Sequence, residues 1–372
     1  MNKYFRGVLV HATASEPSVA HAPVTIVCAG TYWRNSWKYQ TRTYRHFGWD
    51  NGTLLANMFA IAMAIQLPAK IVCGFIDSEV NQLLDLDTDR EVAFSMIAIG
   101  HVNGNPPESV REIPKLNLPT AKVSKSEVDY PELRSIHESS SLQSSQDVSA
   151  WRERAKAHDS TQTPDGVPNV VEGFSPLPLQ PFGSEAVPRD TIEQVILRRG
   201  SSRVFERRSI SFEQLSTILR SSTQGIPADF LNPIGTQLND LYLIVNAVDG
   251  LNPGAYFFNR EQGVLECLKE GQFRDHARYL GLEQNLPGDA AADVFFLADL
   301  NPILGRFGNR GYRAIQLEAG IIGGKLYLAA YAQRLGATGL TFFDDDVTTF
   351  FSPHAKGKSA IFLVALGKSQ KA

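Results

Sequence analysis

The longest apolar run lies between residues 317 and 335, where polar side chains interrupt only at Glu318, Lys325, Gln333 and Arg334. A membrane span needs about 20 nearly uninterrupted apolar residues, so the pattern predicts instead a helix buried on most sides. A second run, residues 52–66, is rich in Ala, Leu and Met, which are good helix formers. Leu67-Pro68 ends it, because proline lacks the amide hydrogen and disfavours helix in the residue before it. β-Branched and aliphatic runs at 22–28, 92–99, 241–248 and 293–298 read as strands. Asn252-Pro253-Gly254 turns into a further strand at 255–258, predicting a hairpin, and 264–268 continues that sheet. Helices are predicted over 191–199, over 272–286, and from a Ser211 cap to Arg220, with Phe212, Leu215, Ile218 and Leu219 as the apolar face of the last. Asp77 reads as the N-cap of a short helix over 80–84.

The two long runs belong to one repeated unit. Arg42, Tyr44 and Arg45 stand 268 residues before Arg310, Tyr312 and Arg313. Gly52, Ala62, Leu67, Ala69, Phe75 and Asp77 keep that offset against Gly320, Ala330, Leu335, Ala337, Phe343 and Asp345. Val80 and Gly100 pair with Val347 and Gly367 at offset 267, one deletion later. Each copy runs from Arg-x-Tyr-Arg through a long helix, a small-residue segment, an acidic stop, a short helix and a strand. Internal repeats of this kind set the architecture.

Between the copies the composition shifts. Prolines cluster at 106, 107, 114 and 119, serines at 139–145, and prolines again over 173–188. Residues 105–189 therefore read as a Pro/Ser-rich connection, partly extended and partly disordered, with a short charged helix over 151–158. The boundaries that follow are 1–104, 105–189 and 190–372. The element order predicts an α+β fold, a mixed sheet covered by helices.

Charge and cysteines narrow the chemistry. Lys+Arg 36 against Asp+Glu 39 gives a net charge of −3, so nothing pulls the chain toward nucleic acid or anionic membranes. Cys28, Cys73 and Cys267 have neither disulfide nor ligand spacing, which fits a reducing, cytoplasmic setting. The eight histidines lack metal-ligand spacing. His46 reads as a packing or surface residue, and Asp344-Asp345-Asp346 as a helix start with solvated charge rather than a metal patch. The stretch 198–208 gathers Arg198, Arg199, Gly200, Ser201, Ser202, Arg203, Arg207 and Arg208. Planar guanidinium donors beside hydroxyls suit a phosphate, and an ordinary basic helix end explains the same residues. Gly336-Ala337-Thr338-Gly339 reads as a small-residue turn that lets a planar ligand approach the backbone, or simply as a chain reversal.

Taken together these segments resemble the flavin-dependent nitroreductase superfamily, most closely its SagB-type dehydrogenase branch, which includes tandem-domain members. The resemblance covers about 190–368, and in the first domain only about 20–100, the family's C-terminal half. Residues 130–141, which open Tyr130-Pro131-Glu132-Leu133, are similar to the segment preceding such a domain. The resemblance implies an FMN phosphate held by Arg199, Ser201 and Arg203, with Lys368 nearby. It also implies a hairpin at Pro253, Gly254 and Tyr256, and a backbone stretch, Gly336 to Leu340, facing the flavin ring through Thr338, Gly339 and Leu340. Where the family has a serine in the loop before the first sheet strand, this chain has Ile234 after Pro233. The first copy has no Arg-x-Ser-x-Arg block. The implied architecture is a lopsided pseudo-dimer with one flavin site.

Two functions follow. One is an FMN-dependent oxidoreductase moving hydride between flavin and a heterocycle, a nitro compound or a quinone, with a small molecule or modified peptide as substrate and NAD(P)H as a further donor. The other is a scaffold or partner subunit that keeps the fold and binds flavin weakly or not at all. Tyr312 and Tyr256 are the only acid–base candidates, and no catalytic residue is assigned. The implied assembly is a homodimer or an intrachain pseudo-dimer.

Overall fold

The structure, a computed structural model, describes residues 3–110, 114–119, 121, 123–156, 175–183, 185, 186 and 188–370. The first half opens with helices α1 (Lys3–Ala12) and α2 (Pro17–His21). Then follow β1 (Val24–Thr31), α3 (Trp33–Tyr39), α4 (Thr43–Ala64), β2 (Ala69–Val72), α5 (Asp77–Leu83) and β3 (Glu91–Ile99). α6 (Pro131–Ser139), α7 (Ser145–Lys156) and the two-residue β4 (Leu177–Pro178) lead into α8 (Ile192–Arg198), β5 (Ile210–Ser211) and α9 (Phe212–Thr223). The second half continues through β6 (Asp240–Val245), β7 (Val248–Asp249), β8 (Gly254–Asn259), β9 (Val264–Glu270), α10 (Arg274–Leu280) and α11 (Asn285–Asp289). It closes with β10 (Ala292–Ala298), α12 (Leu300–Phe307), α13 (Arg310–Ala332), β11 (Gly336–Leu340), α14 (Asp344–Phe351) and β12 (Ser359–Gly367).

The strands form a three-stranded sheet ordered β1-β3-β2 and a seven-stranded sheet ordered β11-β12-β10-β6-β8-β9-β4, with β5 and β7 paired apart. Both large sheets are antiparallel and covered by helices. The fold is thus α+β, with the duplication built in. The series β1-α3-α4-β2-α5-β3 recurs as β10-α12-α13-β11-α14-β12. Val24 pairs with Ile99 as Ala292 pairs with Leu366, and a bulge falls between Cys28 and Ala29 as it does between Phe296 and Leu297.

The register also places the deletion. Val72 faces Met96 and Leu340 faces Leu363, so offset 268 still holds at the end of β2. α5 starts at Asp77 and α14 at Asp344, an offset of 267. Thr341 therefore stands where the first copy has Cys73 and Gly74. Asp344, not Asp345, is the counterpart of Asp77, and Phe342, not Phe343, that of Phe75.

α4 and α13 cross at their glycines. A Cβ on Gly52 would lie 2.5 Å from the Gly320 carbonyl carbon and the Ile321 nitrogen, and one on Gly320 would lie 2.5 Å from the Gly48 oxygen. Gly52 and Gly320 occupy the same place in the two copies, so the pseudo-twofold axis passes between them. Trp49 Nε1 donates to Gln316 Oε1 across the crossing at 2.7 Å.

Several local expectations change. α4 begins at Thr43 rather than near residue 52, because the crossing requires Gly48 and Gly52 inside the helix. The 272–286 helix divides into α10 and α11 where Leu282 and Glu283 take positive φ. The small-residue segment 336–339 is not a turn but part of the edge strand β11. Ile76 holds the N-cap position of α5, and Asp77 is its first residue. Within 105–189, α6 and α7 bury Leu133, Val148, Trp151 and Ala155 against both halves. The predicted helix over 151–158 begins at Ser145, and residues 157 and 158 lie outside the described residues.

Candidate functional site

The phosphate-type segment begins at the end of α8, a helix started by a capping box between Thr191 and Gln194. Arg198 is used structurally. It donates to Asp190 at 2.7 Å and to the Tyr331 carbonyl at 2.8 Å. Arg199 holds its guanidinium carbon 5.6 Å from the centre of the Tyr327 ring on α13. Its Nε is buried and has no hydrogen-bond partner among the described residues. Ser201 Oγ lies 3.3 Å from the Tyr327 hydroxyl, which also accepts the Gly339 amide hydrogen. Arg199, Ser201 and Gly339 thus converge on one tyrosine.

Backbone bonds draw the rest of the segment against the sheet. The Ser202 amide donates to the Ala337 carbonyl at 2.9 Å, and that of Glu206 to the Lys368 carbonyl at 2.9 Å. Gly336 makes room for this approach, since a Cβ there would lie 2.1 Å from Ser202 Oγ. Ser202 Oγ is itself buried and unpartnered among the described residues. Arg203 is exposed and Lys368 half-buried. Among the described residues no carboxylate pairs with Arg199, Arg203 or Lys368, so three cations on adjoining segments remain unneutralised. Thr338 and Leu340 are buried in the edge strand. Tyr327 is the residue that sequence reasoning missed. It sits among apolar neighbours at helical spacing and reads there as core.

The acid–base candidates have other work. The Tyr312 hydroxyl accepts Arg45 Nε at 3.0 Å. Tyr256 donates to the Asn252 carbonyl at 2.7 Å, and burial, aided by the nearby Cys267 and Glu270, pushes its phenol well above the ordinary value. His46 stacks on Tyr39 with ring centres 3.8 Å apart, and burial, with Arg42, Lys38 and Arg45 nearby, lowers its pKa to about 4. No group of His, Cys, Asp and Glu among the described residues could hold a metal, and no described helix is long and apolar enough to cross a membrane.

The equivalent corner of the first copy is closed. The Cys73 and Gly74 amides both donate to the buried Asp229 carboxylate, each at 2.8 Å. The Ile71 amide donates to the Pro227 carbonyl and the Asp229 amide to the Ile71 carbonyl, so this loop of the second half runs along the edge of β2. Trp151 fills the space beside Gly74, its ring 3.0 Å from where a Cβ would stand.

The copies also complete each other electrostatically. Arg310 and Arg313 each donate to Asp77, at 2.7 and 2.8 Å, in a fully buried cluster with His137, Ser140 and Tyr44. The mirror cluster, Arg42 and Arg45 with Asp344, is partly exposed. Burial alone would raise the Asp77 carboxyl, but Arg310, Arg313 and His137 outweigh it and hold it below the ordinary value.

Residues 196–368 match the model of the Nitroreductase family. The second half carries a nitroreductase family domain. A crystal structure from Anabaena variabilis, described as that of a nitroreductase, superposes with a TM-score of 0.76 at 23% identity, over 98% of this chain and 73% of its own. The whole chain, first copy included, therefore has a nitroreductase-like fold. The Escherichia coli microcin synthetase McbBCD complex with truncated pro-MccB17 bound matches at 14% identity, TM-score 0.41, over 56% of this chain and 80% of that one. The NADPH:FMN oxidoreductase of Vibrio harveyi complexed with NAD+ matches at 16% identity, TM-score 0.32, over 48% and 69%. Neither of these two is close enough to carry an argument about function. No curated protein sequence matches the chain.

Proposed function

We propose that the chain is an FMN-dependent oxidoreductase with one flavin site, in the nitroreductase domain. The carrying observation is the set of three unneutralised cations, Arg199, Arg203 and Lys368, beside Ser201, with a buried and unpartnered Nε on Arg199. That donor set fits a phosphate monoester, to which guanidinium and ammonium groups make charge-assisted hydrogen bonds. In this reading Arg199, Ser201, Arg203 and Lys368 hold the phosphate. β11, through Thr338, Gly339 and Leu340, lies along the ring, and Tyr327 fixes Arg199, Ser201 and Gly339 relative to one another. Flavin, when bound, supplies hydride transfer, while the protein supplies position and electrostatics. The substrate is a heterocycle, nitro compound or quinone, free or within a modified peptide, and NAD(P)H is the expected donor where the flavin must be reduced. The first copy is structural in this reading, because Asp229 already takes the amides of Cys73 and Gly74.

The test is the visible spectrum of the purified protein and the flavin released on denaturation. FMN in about one equivalent per chain supports the reading, and Arg203→Ala is expected to weaken FMN binding about 10- to 100-fold, the worth of a hydrogen bond to a charged group. A colourless protein that refuses added FMN sinks it. The second reading, a scaffold or partner subunit, is favoured by one observation: the Gly339 amide already donates to Tyr327.

A further inference from the structure

In the second copy β10 is wholly buried, with β12 on one side and β6 on the other. Its counterpart β1 has β3 on one side, and among the described residues no strand on the other. β1 is half-buried along most of its length, and Val24 is 45% exposed. From Pro23 to Tyr32 it carries no charged side chain, none of the lysines or prolines that usually blunt a free edge beyond Pro23 itself.

Beside this edge lies a cavity of about 290 Å³ lined by Phe5, Leu9, Val19, Thr25, Val27 and Leu84, among others. Thr25 and Val27 are two residues apart and so share a face of the sheet. Residues directly opposite each other on paired strands also share a face. A strand added to β1 would therefore send alternate side chains into this cavity.

The second copy shows what such a strand looks like. Thr25 and Val27 correspond to Asp293 and Phe295, whose antiparallel partners on β6 are Ile244 and Tyr242. Both partners are fully buried. A second copy of β1 lying antiparallel would offer only threonine and valine there, too small for a space walled by Phe5, Leu9 and Leu84.

We propose that the β1 edge is a docking site for an extended segment of another polypeptide, antiparallel to β1 and uncharged where it pairs. Large apolar or aromatic residues at alternate positions enter the cavity. Backbone hydrogen bonds supply the affinity of such strand addition, and the cavity supplies the preference. The site does not depend on the flavin reading.

The test uses the full chain and a synthetic peptide of residues 241–246, the uncharged part of β6, flanked by a lysine at each end. Expected are binding by fluorescence anisotropy and slowed hydrogen–deuterium exchange of β1 amides in the unaltered protein. A peptide with serine in the places of Tyr242 and Ile244 is expected to bind at least about tenfold more weakly. Val27→Asp, which puts an unpaired charge beside the cavity, is expected to weaken binding to a similar degree, and circular dichroism checks that the variant is folded. No β1 protection at saturating peptide, or equal binding of the serine peptide, overturns the proposal. So does a chain that sediments as a dimer with β1 already protected, which would assign the edge to a second copy.

Discussion

Asp77→Asn tests how the two halves are joined. Asp77 is 3% exposed and is the carboxylate shared by Arg310 and Arg313, themselves 2% and 0% exposed. The asparagine keeps the shape but removes the charge, leaving two buried guanidinium groups opposed only by neutral acceptors, among them Ser140 Oγ and the carbonyls of Cys73 and Ser140. Breaking a buried ion pair in this way costs about 3–5 kcal/mol. With about 2.1 cal/mol/K of unfolding entropy per residue over 372 residues, the shift is about 1.3 °C per kcal/mol, so the melting temperature should fall by about 4–7 °C. The mirror substitution, Asp344→Asn, is the internal control. Asp344 and Arg45 are 27% and 25% exposed and Arg42 43%, so solvent screens the pair and the expected loss is about 1 kcal/mol or less. Differential scanning fluorimetry with circular dichroism measures both. The wild-type contribution of Asp77 is also pH-dependent. Its folded pKa is depressed, so its stabilisation is present above the unfolded carboxylate value of about 3.9 and is lost as pH falls through the folded value. Equal shifts for the two variants, or an Asp77→Asn protein as stable as wild type, would refute the assignment of Asp77 as the joining charge.

Gly52→Leu should cost about 1–3 kcal/mol or more, since its Cβ meets the backbone of α13 rather than a movable side chain. Ala60→Leu, half-buried on the same helix, should cost little in the same urea titration. Asp293→Asn should stabilise the protein with rising pH. Burial raises the Asp293 carboxyl well above its ordinary value despite Asn246 and Arg274. Its favourable contribution is full below the unfolded value of about 3.9 and disappears as pH rises through the folded one. Melting curves of the two proteins should diverge from acid toward neutral pH, and parallel curves would show that the group does not titrate as described. Tyr327→Phe should leave the fold intact while weakening FMN binding by equilibrium titration. Unchanged affinity would mean that the hydroxyl contacts to Ser201 and Gly339 do not order the site.

The repeat was legible because its two long apolar runs lie in register and its Arg-x-Tyr-Arg and glycine positions keep their spacing. The reason for that spacing was not. Gly52 and Gly320 mark an interhelix contact, which a one-dimensional pattern cannot distinguish from helix-weakening glycines. Asp77 read as a cap because capping residues and buried counter-charges are drawn from the same side chains. Residues 336–339 read as a turn because glycine and alanine have low strand preference, and only pairing with β12 overrides it. At the candidate site the charged residues stood out in the sequence. Tyr327 did not, since its hydroxyl role depends on a strand twelve residues away folding back beside the helix. The closure of the first copy by Asp229 was equally hidden, 155 residues from the amides it accepts.

The shared aspartate also sets an order of events during synthesis. Arg310 follows Asp77 by 233 residues. At about 5–20 residues per second, Asp77 waits about 12–47 s for its first arginine. During that interval the glycine face of α4 and the cleft for Arg310 are without their partners. The N-terminal half therefore leaves the ribosome first but cannot reach its final form until α13 follows, and a pause or break before residue 310 strands it as a set of elements made to be finished by something not yet there.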